Sequence, residues 1–221
     1  FFVRDGAITA VEHRDALLND DDSEAAWPTA DVIVGNPPFL GDKKMRAELG
    51  DAYTEALRAA YKGRVPGGAD LVCYWFEKAR AQIERGQLQR AGLVATQAIR
   101  AGSNREVLAS VGAQAQIFVA WSDEPWVNDG AAVRVSLIGF GNGLGACELN
   151  GVAVEAISAS LNASNRFDST LSSALMEARS TAFIGTQQNG PFTISGDVAR
   201  AWLRQPMVAG APAGQPGRLY F

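Results

Sequence analysis

The run from Asp31 to Gly41, DVIVGNPPFLG, constrains the fold of this chain more than any other stretch of the sequence. DVIVG has the small and apolar residues of a short interior β-strand. NPPF then ends that strand abruptly, because proline has a fixed φ and no N–H group to continue a ladder. A residue before proline is also held out of the helical region, so Asn36 and Pro37 are both predicted to be extended. The sequence therefore predicts a stiff corner directly after a buried strand.

Strands and helices alternate on both sides of this corner. Apolar patterning predicts strands over residues 7–13, 32–34, 90–96, 116–121 and 133–140. An amphipathic helix is predicted over residues 43–61. A second helix is predicted to begin at its N-cap Asp70 and to end before Gly86, and a short third helix opens with the capping box from Ser103 to Glu106. This order predicts an α/β fold with a mostly parallel sheet.

The composition and patterning of the sequence change after Gly141. CELNGVAVEAI predicts a β-hairpin around Asn150 and Gly151, and the residues beyond it are rich in Ser, Ala, Gly and Pro. We therefore predict one domain over residues 1–150 and a smaller, less regular segment over residues 151–221. Because the chain starts at phenylalanine rather than methionine, it is expected to be a piece of a longer polypeptide.

Composition narrows the classes of protein. With 221 residues, of which 47% are hydrophobic, the chain can bury one sizeable core. A formal net charge of -4 argues against a free-standing nucleic-acid binder held mainly by phosphate contacts, but it allows a local basic patch. Cys73 and Cys147 lie outside any metal-ligand spacing, which is typical of reduced thiols in a cytoplasmic protein. No apolar run approaches the ~18 residues of a membrane span, and no secretion leader is visible.

The corner lies where α/β proteins bind ligands, beyond the carboxyl end of a strand. Because both prolines are rigid, the Asn36 side-chain amide and the Pro37 carbonyl can point outward, and Phe39 adds a flat apolar face beside them. Two acceptors next to a flat face suit a planar ring that carries an NH₂ group. The alternative interpretation is an ordinary strand-ending turn with Phe39 in the core, since Asn-Pro is a common turn dipeptide.

Several runs of the sequence carry a resemblance to a known family. NPPF after an interior strand resembles the (D/N)PP(Y/F) motif of aminomethyltransferases that methylate adenine N6 in DNA. The more specific resemblance comes from four ordered runs, GNPPFLGDKKMRAELGDAY, RVPGGADLVCYWFEKARAQIERG, RAGLVATQAIRAGSNREVL and WSDEPWVNDGAAVRVSLIGF. These runs are similar to the methyltransferase region of MmeI-like single-chain restriction–modification enzymes, over residues 8–140 and more loosely over residues 191–203.

The resemblance implies part of a class I S-adenosylmethionine-dependent methyltransferase fold, with a mostly parallel sheet and a late antiparallel strand. Residues 1–150 would be the C-terminal part of the catalytic domain, and residues 151–221 a linker segment leading towards a DNA target-recognition domain. The implied partners are double-stranded DNA with a flipped adenine and the upstream and downstream domains of the same parent chain, including an upstream nuclease domain. The implied location is the cytoplasm, with no membrane partner.

Within that resemblance, the corner residues take roles in methyl transfer. Adenine N6 is a poor nucleophile because its lone pair is delocalised into the ring. Hydrogen bonds from N6 to the Asn36 side-chain oxygen and the Pro37 carbonyl favour a localised lone pair, which can attack a sulfonium methyl group without a metal. Pro37 and Pro38 stiffen the turn. Phe39 is implied to stack on the adenine, which must first leave the duplex.

Other implied site residues follow strand ends. A second stacking aromatic is implied in the loop between the last two strands, where Trp121 is preferred over Trp126. Asp15 is implied to accept a hydrogen bond from the adenine amine of the cofactor, with the Ala16 N–H contacting its ring. The single histidine, His13, has no nucleophile partner pattern and is interpreted as structural.

Basic side chains follow the same strand ends. Lys43, Lys44 and Arg46 come after the corner, and Arg100 and Arg105 come after the next strand. Because these strand ends share one edge of the sheet, the cations are predicted to lie where the DNA backbone passes. Solvated charges at helix starts are the alternative interpretation.

The glycine-rich cofactor loop of the family, FxGxG, is absent from this chain and is expected upstream. GFGNGLG, over residues 139–145, resembles a displaced version, but such a loop must open a helix. The following ACELNGVAV predicts a strand and a turn, so this interpretation is rejected. The chain is therefore expected to hold the catalytic corner and part of the cofactor pocket, and to show no turnover by itself.

Three functions stay open from the sequence. The leading one is a site-specific DNA adenine-N6 methyltransferase within a restriction–modification protein. A second is a non-catalytic DNA-binding fragment descended from such an enzyme. The third is a methyltransferase that acts on another planar amine or amide, such as a protein glutamine.

Overall fold

The computed structural model describes residues 2–4, 7–128, 131–142, 145–163 and 195–203. Its strands are β1 Phe2–Arg4, β2 Ala7–Ala10, β3 Ala30–Gly35, β4 Leu88–Thr96, β5 Gln116–Asn128, β6 Ala131–Gly141, β7 Cys147–Leu149 and β8 Val152–Val154. Its helices are α1 Asp42–Leu49, α2 Asp51–Ala60, α3 Val72–Glu84, α4 Gly102–Gln114 and α5 Gly196–Leu203, with a 3-10 helix over Gln97–Arg100. The chain divides into two compact units, Phe1–Thr170 and Leu171–Phe221, and α5 belongs to the second.

Six strands form one open sheet in the order β3-β4-β6-β5-β7-β8. β3 is parallel to β4, and β7 is parallel to β5, whereas β6 runs antiparallel to both β4 and β5. Four strands therefore share one direction, and β6 and β8 run the other way. This confirms the predicted α/β sheet, in which the late antiparallel strand β6 is inserted between β4 and β5.

Helix α3 lies at the centre of the packing. One side of it forms the main core cluster with α4 and with the inward positions of the sheet, where Phe76 stacks on Phe140 at 5.8 Å between ring centroids. Its other side forms a second cluster with α1, α2 and the segment around Leu17. Between Val72 and Ile83, Trp75 alone is half-buried and every other residue is buried. Between these residues the helix is therefore buried on nearly all sides.

The strand DVIVG is an edge strand rather than the predicted interior strand. β3 pairs with β4 and has no second partner among the described strands. Ile33 packs against the main core cluster, whereas Val32 and Val34 are 55% and 82% exposed. Because side chains alternate along a strand, Val32 and Val34 point to the face opposite the core. Apolar composition alone does not reveal how many sides of a strand are covered.

The first predicted strand is shorter than expected and lies outside the main sheet. Ala7–Ala10 pairs antiparallel with Phe2–Arg4 in a separate two-stranded sheet. Residues 11–13, predicted to continue this strand, are exposed and have no ladder partner in the described ranges. The segment that carries Asp15 is therefore reached through a short irregular run and not from a strand end.

The helix predicted over residues 43–61 is two helices, α1 and α2, separated by Gly50. Gly50 has φ 86° and ψ 159°, a conformation that residues with a side chain rarely adopt. Its N–H bonds to the Arg46 carbonyl, and its own carbonyl accepts from the N–H and the hydroxyl of Thr54. The apolar spacing continues across this break, which is why the spacing predicted one helix.

Two predicted helix caps are wrong. α3 has no side-chain cap, and Asp70 instead accepts from the Asp42 N–H at 3.0 Å. α4 has no side-chain cap either, because the Ser103 hydroxyl donates to the Gly67 carbonyl at 3.2 Å. Both side chains make contacts with segments far away in the sequence, which a local pattern does not show.

The C-terminal part of the chain is described only in pieces. The hairpin predicted around Asn150 and Gly151 is confirmed, since β7 and β8 pair antiparallel across that turn. Residues 164–194 and 204–221 lie outside the described residues. The segment predicted over residues 151–221, with its boundary at residue 150, therefore stays a prediction.

No helix among the described residues is both long and apolar enough to cross a membrane. Cys73 and Cys147 are buried free thiols. Burial raises the pKa of the Cys73 thiol, so this group stays protonated at neutral pH.

GFGNGLG begins in a strand rather than opening a helix. Gly139 and Gly141 lie in β6, and the residues after Gly145 form β7 and its turn, as predicted. A Cβ atom at Gly139 would lie 2.6 Å from a Val119 side-chain carbon, and one at Gly141 would lie 2.5 Å from the Gln89 carbonyl oxygen. These glycines allow β6 to pass close to its neighbours.

We expect the close approach at Gly141 to make it intolerant of a side chain. Gly141→Ala should lower the free energy of unfolding by about 1–3 kcal/mol, because the Gln89 backbone cannot move aside as a flexible side chain would. The matched control is Gly112→Ala on α4, where an added Cβ meets no atom within 4 Å and alanine is the better helix former. Urea unfolding measures both variants, and a Gly141→Ala protein as stable as wild type would contradict the packing account.

Candidate active site

The NPPF corner, residues 36–39, follows β3 at the surface of the protein. Asn36 and Pro38 are exposed, Phe39 is half-buried and Pro37 is buried. Within the described ranges, neither the Asn36 side chain nor the Pro37 carbonyl has a hydrogen-bond partner. Phe39 belongs to neither described core cluster, whereas the next residue, Leu40, packs on the second one. The corner therefore presents the exposed Asn36 side chain and one aromatic ring outside the core clusters, beside a Pro37 carbonyl without a partner in the described ranges.

The sheet register places Trp121 level with the corner. Gly35, the last residue before the corner, pairs with Leu93, which pairs with Ile138. Ile138 in turn pairs with Ala120 on β5. Trp121 is one residue beyond this row, as is the first residue of the corner. Three strand-to-strand steps separate the two positions, which amounts to about 14 Å across the sheet.

Trp126, the alternative stacking residue, lies further along β5. It pairs with Val133, beyond an irregularity in the register between Trp121 and Glu124. Both tryptophans are half-buried. Trp121 is therefore closer than Trp126 to the row of the corner.

Asn150 holds the backbone on both sides of Trp121, a role that sequence reasoning missed. Its N–H donates to the Ala120 carbonyl at 2.8 Å, and its side-chain oxygen accepts from the Ser122 N–H at 2.8 Å. The side chain thus continues the β5–β7 ladder beyond its last backbone pair. Asn150 has φ 52°, in the left-handed region that asparagine tolerates. The sequence identifies it as a turn residue, but its contact with β5 depends on a strand pairing that local patterns do not reveal.

The Asp15 carboxylate is bound to its own turn and to helix α2. Oδ1 accepts from the Leu17 N–H at 2.7 Å and from the Leu18 N–H at 3.1 Å. Oδ2 accepts from the Tyr53 hydroxyl at 2.8 Å. Burial, together with this hydrogen bond, raises the pKa of Tyr53, so the hydroxyl remains a donor. Asp15 itself is exposed, and Oδ2 has a lone pair left for one more donor.

Trp27 fixes the peptide that follows Ala16, because its indole N–H donates to the Ala16 carbonyl at 2.7 Å. In the described part of the chain, the Ala16 N–H has no acceptor. A cavity of about 620 Å³ lies beside Asp15 and is lined in part by Asp20 and by the exposed His13. Asp15 therefore lines a cavity, and the Ala16 N–H next to it in the chain has no partner of its own within the described residues.

Buried charges connect the loop after Asp15 to helix α3. Lys78, which is 3% exposed, donates to the Ala25 carbonyl and pairs with Glu24 at 3.3 Å. Arg64 also pairs with Glu24, at 2.5 Å. Burial lowers the pKa of Lys78, although Glu24 acts in the opposite direction. A buried charge is tolerated when it is paired, but in the sequence Lys78 looks like an ordinary surface residue.

One hydrophobic cluster joins the Asp15 segment to the segment after the corner. Leu17 and Leu18 share this cluster with Leu40 and Met45. The structure therefore brings the two groups of residues singled out from the sequence onto one local scaffold.

The cations expected at the sheet edge lie on different elements. Lys43 and Lys44 are exposed in the first turn of α1, directly after the corner. Arg100 is the last residue of the 3-10 helix after β4 and donates to Gln97. Arg105 is half-buried on α4.

Arg100 lies close to the strand that bears Trp121. A hydrogen bond from Arg134, at 2.5 Å, lowers the pKa of Asp123, and the charge of Arg100 adds to this effect. Arg46, by contrast, forms ion pairs with two carboxylates of α2. The charge of Arg100 thus acts on Asp123 of β5, whereas Arg46 is paired with carboxylates of α2.

The fold and the exposed corner define an α/β protein with a methyltransferase-type sheet. Residues 7–149 match the family model described as "MmeI, DNA-methyltransferase domain", and the chain belongs to this family. A solved structure of the type IIL restriction-modification enzyme MmeI in complex with DNA is similar over 60% of this chain, with 23% sequence identity and a TM-score of 0.49. The chain spans 20% of the length of that enzyme. A comparison with curated proteins found no match.

Family membership confirms the resemblance drawn from the four sequence runs. It identifies the domain as that of a DNA methyltransferase. The roles of individual residues stay predictions.

We expect Asn150 to stabilise the protein through its side-chain oxygen. Asn150→Gly keeps the left-handed turn but removes the acceptor of the Ser122 N–H, and should lower the free energy of unfolding by about 1 kcal/mol. Asn150→Asp keeps an acceptor and should stay close to wild type, whereas Asn150→Ala also strains the turn and should be the least stable. Urea unfolding gives the order, and an Asn150→Gly protein as stable as wild type would show that the contact with β5 contributes nothing.

Proposed function

We propose that this chain is part of a site-specific DNA adenine-N6 methyltransferase within a restriction–modification protein. The observation that carries the proposal is the exposed NPPF corner at the carboxyl end of β3, whose two acceptors have no partner within the described residues. Family membership supports a DNA methyltransferase. In this proposal the chain acts in the cytoplasm together with upstream and downstream domains of a longer polypeptide, and residues 151–221 lead towards a target-recognition domain.

The corner would activate the target amine by accepting its hydrogens. Adenine N6 donates one hydrogen to the Asn36 side-chain oxygen and one to the Pro37 carbonyl, which localises the nitrogen lone pair. Each hydrogen bond contributes about 0.5–1.5 kcal/mol net, and more as positive charge develops on the nitrogen in the transition state. The rigid prolines hold both acceptors in place, so positioning adds to the effect.

The target adenine has to leave the duplex, because N6 is base-paired inside it. Flipping costs a few kcal/mol, and stacking on aromatic side chains returns about 1–3 kcal/mol per base. Phe39 in the corner would supply one stacking face, and Trp121, level with the corner, would supply the other. The phosphates would pass the cations that follow the corner and β4, which are Lys43, Lys44, Arg100 and Arg105.

Asp15 and Ala16 fit the adenine end of S-adenosylmethionine. The free lone pair on Asp15 Oδ2 would accept from the adenine amine, and the Ala16 N–H would donate to a ring nitrogen. Tyr53 donates to the Asp15 carboxylate, and Trp27 donates to the Ala16 carbonyl, in the peptide next to the one that carries the Ala16 N–H. When bound, the cofactor supplies an electrophilic sulfonium methyl group. The FxGxG part of the pocket would come from residues upstream of this chain.

Removal of the Asn36 acceptor should abolish most methyl transfer. The assay protein is this chain extended upstream through the expected FxGxG loop, with radiolabelled S-adenosylmethionine and plasmid DNA as substrates. Asn36→Ala should lower kcat by about 10²–10³-fold, as is typical when one pre-organised polar group is lost from a transition state. Calorimetric affinity for the cofactor should change little, because Asn36 contacts the base.

The matched control is Asn162→Ala, which removes an exposed asparagine in the segment after β8 and should leave kcat unchanged. DNA methylation that survives Asn36→Ala would contradict the mechanism. The 221-residue chain by itself should show no turnover. Methylation by that chain would contradict the inference that part of the cofactor pocket lies upstream.

Cofactor affinity should depend on the Asp15 carboxylate. Asp15→Asn keeps an oxygen for the Leu17 and Leu18 N–H groups but loses the charged acceptor, so the Kd for S-adenosylmethionine should rise about tenfold. Asp22→Asn is the matched control, since it removes the same charge from an exposed position of the same loop and should change Kd less than about twofold. Titration calorimetry on the extended protein measures both, and an unchanged Kd in Asp15→Asn would refute the cofactor role of this residue.

A further inference from the structure

On the side away from β3, the NPPF corner is held by Asp70 and Leu71, the two residues directly before α3. On the near side, β3 pairs with β4 up to its last residue. On the far side, the Leu71 N–H donates to the Leu40 carbonyl at 2.9 Å. The Asp42 N–H donates to Asp70 Oδ1 at 3.0 Å. Asp70 and Leu71 therefore bond to the chain on both sides of Gly41.

The Asp70 carboxylate supplies the cap that α1 lacks. Gly41, at the N-cap position, has no side chain to accept from the first N–H groups of the helix. Asp70 reaches this end from 28 residues away in the sequence. Its negative charge also lies at the positive end of the α1 dipole. A hydrogen bond and a charge interaction thus both hold the helix that follows the corner.

Asn104 fixes Asp70 by two hydrogen bonds. Its side-chain oxygen accepts from the Asp70 N–H at 2.8 Å, and its side-chain nitrogen donates to Asp70 Oδ2 at 2.8 Å. The same nitrogen donates to the Ala98 carbonyl, in the 3-10 helix after β4, at 3.3 Å. Asn104 is 7% exposed, so these bonds are shielded from water. One carboxylate and one amide therefore connect the corner to the carboxyl end of the neighbouring strand.

We propose that Asp70 and Asn104 are positioning residues that fix the NPPF corner in its reactive geometry. The inference rests on the function proposed for the corner, and it extends the catalytic unit to a polar pair outside the motif. Neither side chain reaches the base; Asp70 acts through Asp42, and Asn104 acts through Asp70. A displacement of about 1 Å at a reacting group can cost about 10²-fold in rate, so loss of the pair should lower kcat rather than binding.

The Asn104 amide donates to the Asp70 carboxylate, so exchanging the two side chains between positions 70 and 104 tests this bond directly. In Asp70→Asn, the new NH₂ group faces the NH₂ group of Asn104. In Asn104→Asp, two carboxylates face each other. With both substitutions, the side chain at position 70 donates and the side chain at position 104 accepts. The bond within the pair is restored with its charge moved to the other partner, whereas the bond to the Ala98 carbonyl is not.

The test measures kcat, KM for plasmid DNA and Kd for S-adenosylmethionine in the upstream-extended polypeptide. Asp70→Asn and Asn104→Asp should each lower kcat by about 10- to 100-fold, with KM and Kd within about twofold of wild type. The double variant should exceed the better single variant in kcat by at least about threefold. The matched control is Ser103→Ala, next to Asn104 on α4, which should keep the wild-type kcat because Ser103 bonds to Gly67.

Hydrogen exchange on the 221-residue chain gives a readout that does not need turnover. Asp70→Ala removes the acceptor of the Asp42 N–H and should speed exchange of that amide by about tenfold or more. The amides of Leu93 and Ile138, within the sheet, should exchange as in wild type. This measurement keeps the inference testable where a variant is too unstable for the activity assay.

Four outcomes decide whether Asp70 and Asn104 position the corner. Loss of kcat in both single variants with recovery in the double variant supports the inference. If Asn36→Ala abolishes transfer while Asp70→Asn keeps the wild-type kcat, the positioning role is wrong and the proposed function stands. If transfer survives Asn36→Ala, the proposed function is wrong and the positioning role fails with it. An unchanged Asp42 amide in Asp70→Ala would show that the cap does not hold the corner in solution.

Discussion

Two consecutive prolines fix the direction of the chain where it leaves β3, and the rest of the site is arranged around that point. Pro37 and Pro38 restrict φ at both positions and provide no N–H group, so the corner cannot continue the sheet. The Asn36 side-chain oxygen and the Pro37 carbonyl have no partner within the described residues. An unpaired acceptor is inexpensive only when it is exposed to water or to a ligand, and Asn36 is exposed. The corner is thus rigid, and its Asn36 side chain is available to a substrate.

Helix α3 supports both halves of the proposed site. Asp70, just before its first turn, caps α1 behind the corner. Lys78, two turns further on, donates to the loop that follows Asp15. The Lys78 charge buried on this helix is tolerated because it is paired, and each of these interactions joins segments far apart in the sequence. A helix placed in this way couples the position of the corner to that of the Asp15 segment.

Much of the architecture could be predicted from the sequence because it depends on local pattern. Alternating strands and helices, the NPPF corner and the Asn150–Gly151 hairpin all follow from residue spacing and turn chemistry. The features that the sequence did not predict have a different origin. The exposure of Val34, the cap made by Asp70 and the burial of Lys78 depend on which segments meet in space, and no local pattern contains that information. The helix break at Gly50 was missed for another reason: its only sign in the sequence is a single glycine within continuous apolar spacing.

The identity of the methylated product tests the central claim most directly. Plasmid DNA treated with the upstream-extended protein and S-adenosylmethionine is digested to nucleosides and analysed by mass spectrometry. An exposed corner that accepts both hydrogens of an exocyclic amine, with Phe39 available for stacking, is expected to yield N6-methyladenine as the only new nucleoside. Methyl groups found on cytosine, or on a glutamine peptide offered beside the DNA with none on adenine, would contradict the account.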